Sequence, residues 1–228
     1  MFLRRKERCK DMLGLPKSTE LNCRIPKQKF YDNAQLSPAI KRAFVDQIKK
    51  ITWKNKLSPA TINLQPSEGI EELEVFEIQL YSNTINEAIL RTVDKSIPYH
   101  ILYALEYEGK FQIWIPFKEK NTNGSYKTDL YYHTDWQSKE DLKLTINGLT
   151  MKELYEGFVK QIAKDEIEND DSQTGSNLKD SIERTKKKKE LEKKIAKLQA
   201  QVRKEKQFNK QVELNGKLKK LKKEYEKL

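Results

Sequence analysis

Cysteine is nearly absent. Two residues, Cys9 and Cys23, in 228 exclude a disulfide framework. With only His100 and His133 beside them, and no recognised ligand spacing, they also make no zinc site. Eight glycines are too scattered for a phosphate-cradling loop, and neither a His-Glu-x-x-His segment nor a nucleophile elbow occurs. No apolar run approaches the ~20 residues of a membrane span. The basic start Met1–Cys9 is not followed by an apolar stretch of the kind that makes a signal peptide. These absences point to a cytoplasmic, reducing setting without membrane contact or a bound cofactor.

Charge is abundant and unevenly placed. Ser181–Leu228 holds 18 Lys and Arg against 7 Asp and Glu, and the preceding 180 residues hold 27 of each sign. The whole net charge of +11 therefore lies in the last 48 residues. Any long-range attraction to a polyanion is expected from that tail.

The body is organised around Ile97–Lys118. Tyr99–Tyr107 is an apolar run, Glu108-Gly109 a tight turn, and Lys110–Phe117 an alternating strand. Pro116 places the end of that strand, or a sheet edge, close by. Ser37-Pro38 opens a helix over 38–50, and Pro26 a shorter one through about Asn33. A strand begins at Ile51, a short extended piece covers Thr61–Leu64, and Glu71–Tyr81 is a strand buried on both sides at its centre. Asn83 or Thr84 caps a helix over 85–96, Asp129–Trp136 is a further strand, and Asn147-Gly148 turns into a helix over 150–163. The fold class expected is α+β, a mainly antiparallel sheet flanked by helices. A flexible extension occupies 1–11, the folded body 12–164, an acidic linker 165–179 and a basic helical tail 180–228.

In the tail, Leu191, Ile195, Leu198 and Val202 step in the a/d spacing of a coiled coil. Leu214, Leu218, Leu221, Tyr225 and Leu228 step likewise, out of register with the first set. Glu205–Val212 breaks the repeat and Asn215-Gly216 weakens it, so either one helix continues with a stutter or the chain folds back there. These stripes are the expected partner-binding residues, serving a self-dimer or another protein's helix. Lys186, Lys187, Lys188 and Lys189 are the expected nucleic-acid contacts.

An alternative reading is catalytic. Helix 38–50, strands near Ile51 and Thr61, strand 71–81, helix 85–96 and strand 99–107 follow the element order of the PD-(D/E)xK nucleases. Glu77-Ile78-Gln79 matches the variant of their motif with Gln in place of Lys, and Glu74 is the available second carboxylate. Mg²⁺ would be needed only under this alternative. The partner Asp is missing, since Asn63 and Leu64 stand near where it belongs. Tyr131–Trp136 offers either an aromatic platform for a base, with His133 as donor, or a sheet packing its aromatics on the core.

Several stretches together resemble a prokaryotic family, domain of unknown function 4391. They are Met12–Pro16, Trp53–Ile62, Val75–Ile78, Ile97–His100, Tyr131–Trp136 and Phe208–Asn215. The resemblance carries no activity and no catalytic residues to transfer. It implies an accessory (adaptor) role in restriction-modification or defence cassettes that encode DNA methyltransferases and helicases, either of which is the implied protein partner.

Overall fold

The computed structural model describes residues 13–31, 36–67, 69–120, 126–164 and 178–226. The extension before Leu13, the polar loop 121–125 and most of the acidic linker lie outside them. The chain divides into two compact units, Met1–Ala163 and Lys164–Leu228.

The first unit is α+β. Its strands are β1 (Glu20–Ile25), β2 (Ile48–Leu57), β3 (Leu73–Leu80), β4 (His100–Tyr107), β5 (Lys110–Lys120), β6 (Tyr126–His133) and β7 (Gln137–Ser138). They form one sheet in the order β1-β2-β3-β4-β5-β6, with β7 paired to the start of β5. Every pairing is antiparallel except β3 with β4. That parallel pair needs a crossover, and helix α4 (Glu87–Ser96) supplies it.

The β4–β5 hairpin is as expected. Glu108 and Gly109 both have positive φ, 49° and 77°, so the turn is of the primed type whose twist matches the strands. The Glu106 side chain accepts a bond from Gly109 N at 3.0 Å. Pro116, however, does not end β5. The strand runs to Lys120 in the interior of the sheet, but its pairing with β4 extends only from Lys110 to Trp114. Beyond Trp114 that side of β5 is free of β4. There the Tyr155 hydroxyl donates to Pro116 O (2.6 Å) and accepts from Lys118 N (3.1 Å). Proline thus sits where no ladder donor is required.

Helices α1 (Gln28–Tyr31), α2 (Pro38–Gln47) and α4 cover one face. Phe30, Phe44, Ile89, Leu90 and Val93 meet Phe76, Ile78, Ile101, Tyr103 and Leu105 there. Helix α5 (Met151–Ile162) packs on β5 and β6, with Met151, Leu154, Phe158 and Val159 fully buried. Caps explain three helix starts: Ser37 accepts from Ile40 N, Asn86 from Ala88 N and Thr150 from Glu153 N. The cap of α4 is therefore Asn86, not Asn83 or Thr84. Gly148, at φ 96°, precedes α5, and a Cβ there would lie 2.4 Å from Glu153 Cβ.

Four expectations are corrected. Helix α2 stops at Gln47, and Ile48–Lys50 already belongs to β2. The segment expected to be extended at Thr61–Leu64 begins as a helical turn, α3 (Pro59–Ile62), because Thr61 Oγ1 accepts from Ser58 N at 2.9 Å and Pro59 presets the first φ. The last long strand is Tyr126–His133 and not 129–136, since the Thr134 hydroxyl accepts from Ile113 N at 3.1 Å and turns the chain out. Strand β1 was not expected at all.

Candidate functional site

The second unit is a helical hairpin. Helix α6 (Leu178–Lys204) and helix α7 (Phe208–Tyr225) are separated by Glu205–Gln207, so the chain folds back there and not at Asn215-Gly216, which lies inside α7. Two bonds set an antiparallel register: Tyr225 Oη to Glu192 Oε1 at 2.6 Å, and Gln211 Nε2 to Val202 O at 3.4 Å. That register puts Ile195 level with Leu221, Leu198 with Leu218, and Val202 with Leu214. The two stripes are out of phase along the chain because the turn resets the phase. In space they face each other.

They bury each other only in part. Leu191 is buried, and Ile195, Leu198, Val202, Leu214, Leu218, Leu221 and Tyr225 are half-buried. A groove of about 420 Å³ opens between the helices beside Ile195, Gln199, Lys222 and Tyr225. Phe208 and Val212, at the turn end, are 75% and 54% exposed. Because α7 ends level with Glu192, Lys186–Lys189 of α6 lie beyond its end, in a stretch where Ile182 is buried. Lys187 is exposed and Lys188 half-buried, and the side chains of Lys186 and Lys189 lie outside the described residues. The flanks of the pair are polar, with Lys217 bonded to Glu213 one turn away at 2.6 Å.

The carboxylates of β3 are arranged otherwise. Side chains alternate along a strand, so Glu74 shares the face of Phe76 and Ile78, under α2 and α4, while Glu77 and Gln79 share the face of Leu73 and Val75. One Mg²⁺ cannot be held from both faces of a covered sheet. Glu77 pairs with Lys54 at 3.5 Å. Glu74, 2% exposed, accepts from Trp53 Nε1 at 2.7 Å. Burial, helped by the neighbouring Glu72 carboxylate, pushes its titration up to about 7. Among the described residues no three His, Cys, Asp or Glu side chains gather as a metal site.

The run Tyr131–Trp136 is part core and part surface. Tyr131 and Tyr132 are buried. His133 is exposed and stacks on Trp114 at 4.4 Å between ring centroids, and Gln112 bridges both rings.

One constellation had no signal in the sequence. Asp94 of α4 and Lys118 of β5 form an ion pair at 3.2 Å, with side chains 3% and 4% exposed. The Tyr131 hydroxyl donates to Asp94, and Lys118 Nζ donates to Tyr99 O at 2.7 Å. Burial raises the titration of Asp94 and lowers that of Lys118, and their mutual attraction opposes both. His100 lies edge-on to Tyr155 at 4.6 Å, and burial, with the Lys118 charge, lowers its titration to about 3. The network is sealed from solvent and ties α4 to β5 and β6.

The model of a family described as a domain of unknown function (DUF4391) matches residues 13–224, from the first described residue almost to the end of α7. The chain belongs to that family. Membership covers the sheet unit and the hairpin together, so the hairpin is part of what defines a DUF4391 chain. No curated protein and no solved structure matches the chain. No helix among the described residues is long and apolar enough to cross a membrane.

Proposed function

We propose that this DUF4391 chain is a non-enzymatic accessory protein. Its helical hairpin docks on a helix of a partner protein, and the cationic exterior of the same hairpin rests against phosphate. The observation that carries the reading is the state of the two apolar stripes. Seven of the eight described stripe residues are only half-buried although the helices already face each other. Two helices cover only one flank of each stripe, and bundles of this kind reach full burial with a third or fourth helix.

The charge of Ser181–Leu228 selects among occupants of that flank. Self-pairing sets one +11 segment against another, and screening over about 8 Å at physiological salt weakens that repulsion without reversing it. An acidic helix, or a basic-hairpin complex lying on DNA, meets no such penalty. The resemblance to cassette-encoded accessory proteins makes a helicase or DNA methyltransferase of the same cassette the partner we favour.

The test is purification of tagged full-length chain from its host, beside Leu198→Asp and a variant with Lys186–Lys189 changed to Gln. Leu198 is at the middle of the hairpin, so a charge there should remove the partner. The Lys variant should keep the partner, weaken DNA binding and flatten its salt dependence. A partner retained by Leu198→Asp would overturn the reading.

A further inference from the structure

The sheet unit, Met1–Ala163, holds 25 Lys and Arg against 21 Asp and Glu, and its bases are not evenly mixed with its acids. At the outer edge of the sheet, where β1 leads into α1 and β2 begins, a cleft of about 340 Å³ is lined by Arg24, Lys27, Lys49 and Lys50, together with Gln28 and the apolar Ile25, Pro26 and Ile51. No carboxylate is among its lining residues.

Local structure gathers these cations. Consecutive strand residues normally point to opposite faces, so Lys49 and Lys50 would diverge. The β2–β3 register, however, shifts between Ile48, opposite Leu80, and Lys50, opposite Gln79. Lys49 is the extra residue of a bulge, and a bulge re-aims its side chain. Both lysines therefore line one cavity. Across it, Arg24 comes from the edge strand β1, opposite Thr52.

Lys27 fixes the wall. Its Nζ donates to Ile48 O at 2.8 Å and to Phe44 O and Val45 O at 3.3 Å, closing the C-terminal end of α2. Its charge is largely spent on those carbonyls. Arg24, Lys49 and Lys50 form no ion pair among the described residues, and Arg24 and Lys49 are exposed.

We infer that this cleft is a second, independent phosphate-contacting site, and that its ligand is the phosphodiester backbone of a nucleic acid. Small-molecule pockets enclose their ligand in mostly apolar walls with a few placed polar groups. In this cleft four of the eight lining residues are cations, and Gln28 is the one uncharged polar side chain among them. Such a surface positions a polyanion without selecting its sequence. The inference does not rest on the hairpin, because every residue in it belongs to the sheet unit.

The test uses full-length chain with Lys186–Lys189 changed to Gln as the parent, so that the tail contributes less. Arg24→Gln/Lys49→Gln/Lys50→Gln is added, and anisotropy of a labelled duplex is followed from about 50 to about 200 mM salt. Three lost phosphate contacts should remove about 2.7 from the slope of log K against log salt. Over that range the parent should thus lose about 40-fold more affinity than the triple variant. Arg24→Lys/Lys49→Arg/Lys50→Arg should restore the parent slope, which a merely misfolded triple variant could not explain. Equal slopes in parent and triple variant, or no duplex binding by the parent, overturn the inference. So does pyrophosphate binding as tightly as duplex, which would make this a small-phosphate site. Failure of the hairpin reading appears separately, as no difference between wild type and the parent.

Discussion

Glu74→Gln should stabilise the sheet unit at alkaline pH and do so progressively less as pH falls. Glu74 titrates in the fold at about 7 against an ordinary 4.5, chiefly because it is buried. Between those values the folded chain holds a proton that the unfolded chain has released. Stability from this group is therefore fully present below about pH 4.5 and is lost as pH rises through about 7. At about 1.4 kcal/mol per pH unit, the gap comes to about 3 kcal/mol above pH 8, an upper figure for a partly relaxed site. Glutamine keeps an acceptor for Trp53 Nε1, which sits 2.7 Å from the present carboxylate, and it cannot ionise. The variant should exceed wild type by up to about 3 kcal/mol at pH 8, and by under about 1 kcal/mol at pH 5. Urea unfolding followed by tryptophan fluorescence reads this unit alone, since Trp53, Trp114 and Trp136 all belong to it. His100 titrates in both chains and drops out of the difference. A constant difference from pH 5 to 8, or a less stable variant at pH 8, would refute the reasoning.

Breaking the buried pair by Asp94→Ala or Lys118→Met should each cost about 3–5 kcal/mol in the same urea assay, because each leaves an uncompensated charge. Asp94→Leu combined with Lys118→Met should recover much of that loss, and additive losses would argue against the pair. Truncation after Lys164 should leave a cooperative thermal transition within a few degrees of the full chain, since the compact sheet unit ends at Ala163. Scanning calorimetry would expose a molten product.

The legible parts of the fold were those with strong local chemistry. The turn at Glu108-Gly109, the Ser37 and Thr150 caps and the buried run of β4 each state their conformation in adjacent residues. Strand β1 was illegible because it is an edge, exposed along almost its whole length, so no apolar alternation marks it. The turn at Thr61 depends on one hydroxyl bonding back three residues, against which the sequence offered an equally good extended reading. The tail stripes were readable to the residue, but their being out of phase fits a stutter as well as a reversal. The break at Glu205–Gln207 and the Tyr225–Glu192 and Gln211–Val202 bonds distinguish the two. The Asp94–Lys118 pair spans 24 positions and three elements, and the basic cleft depends on a bulge. Neither arrangement leaves a periodic trace in sequence.

The central claim, that the hairpin is an incomplete bundle awaiting a helix, is tested most directly by amide hydrogen exchange on the full-length chain, alone and in the complex that co-purifies with it. The account predicts that α6 and α7 exchange much faster than β3 and β4 in the isolated chain, and that the amides of 191–225 become protected in the complex. A hairpin protected as strongly as the sheet in the isolated chain, and unchanged in the complex, would contradict it.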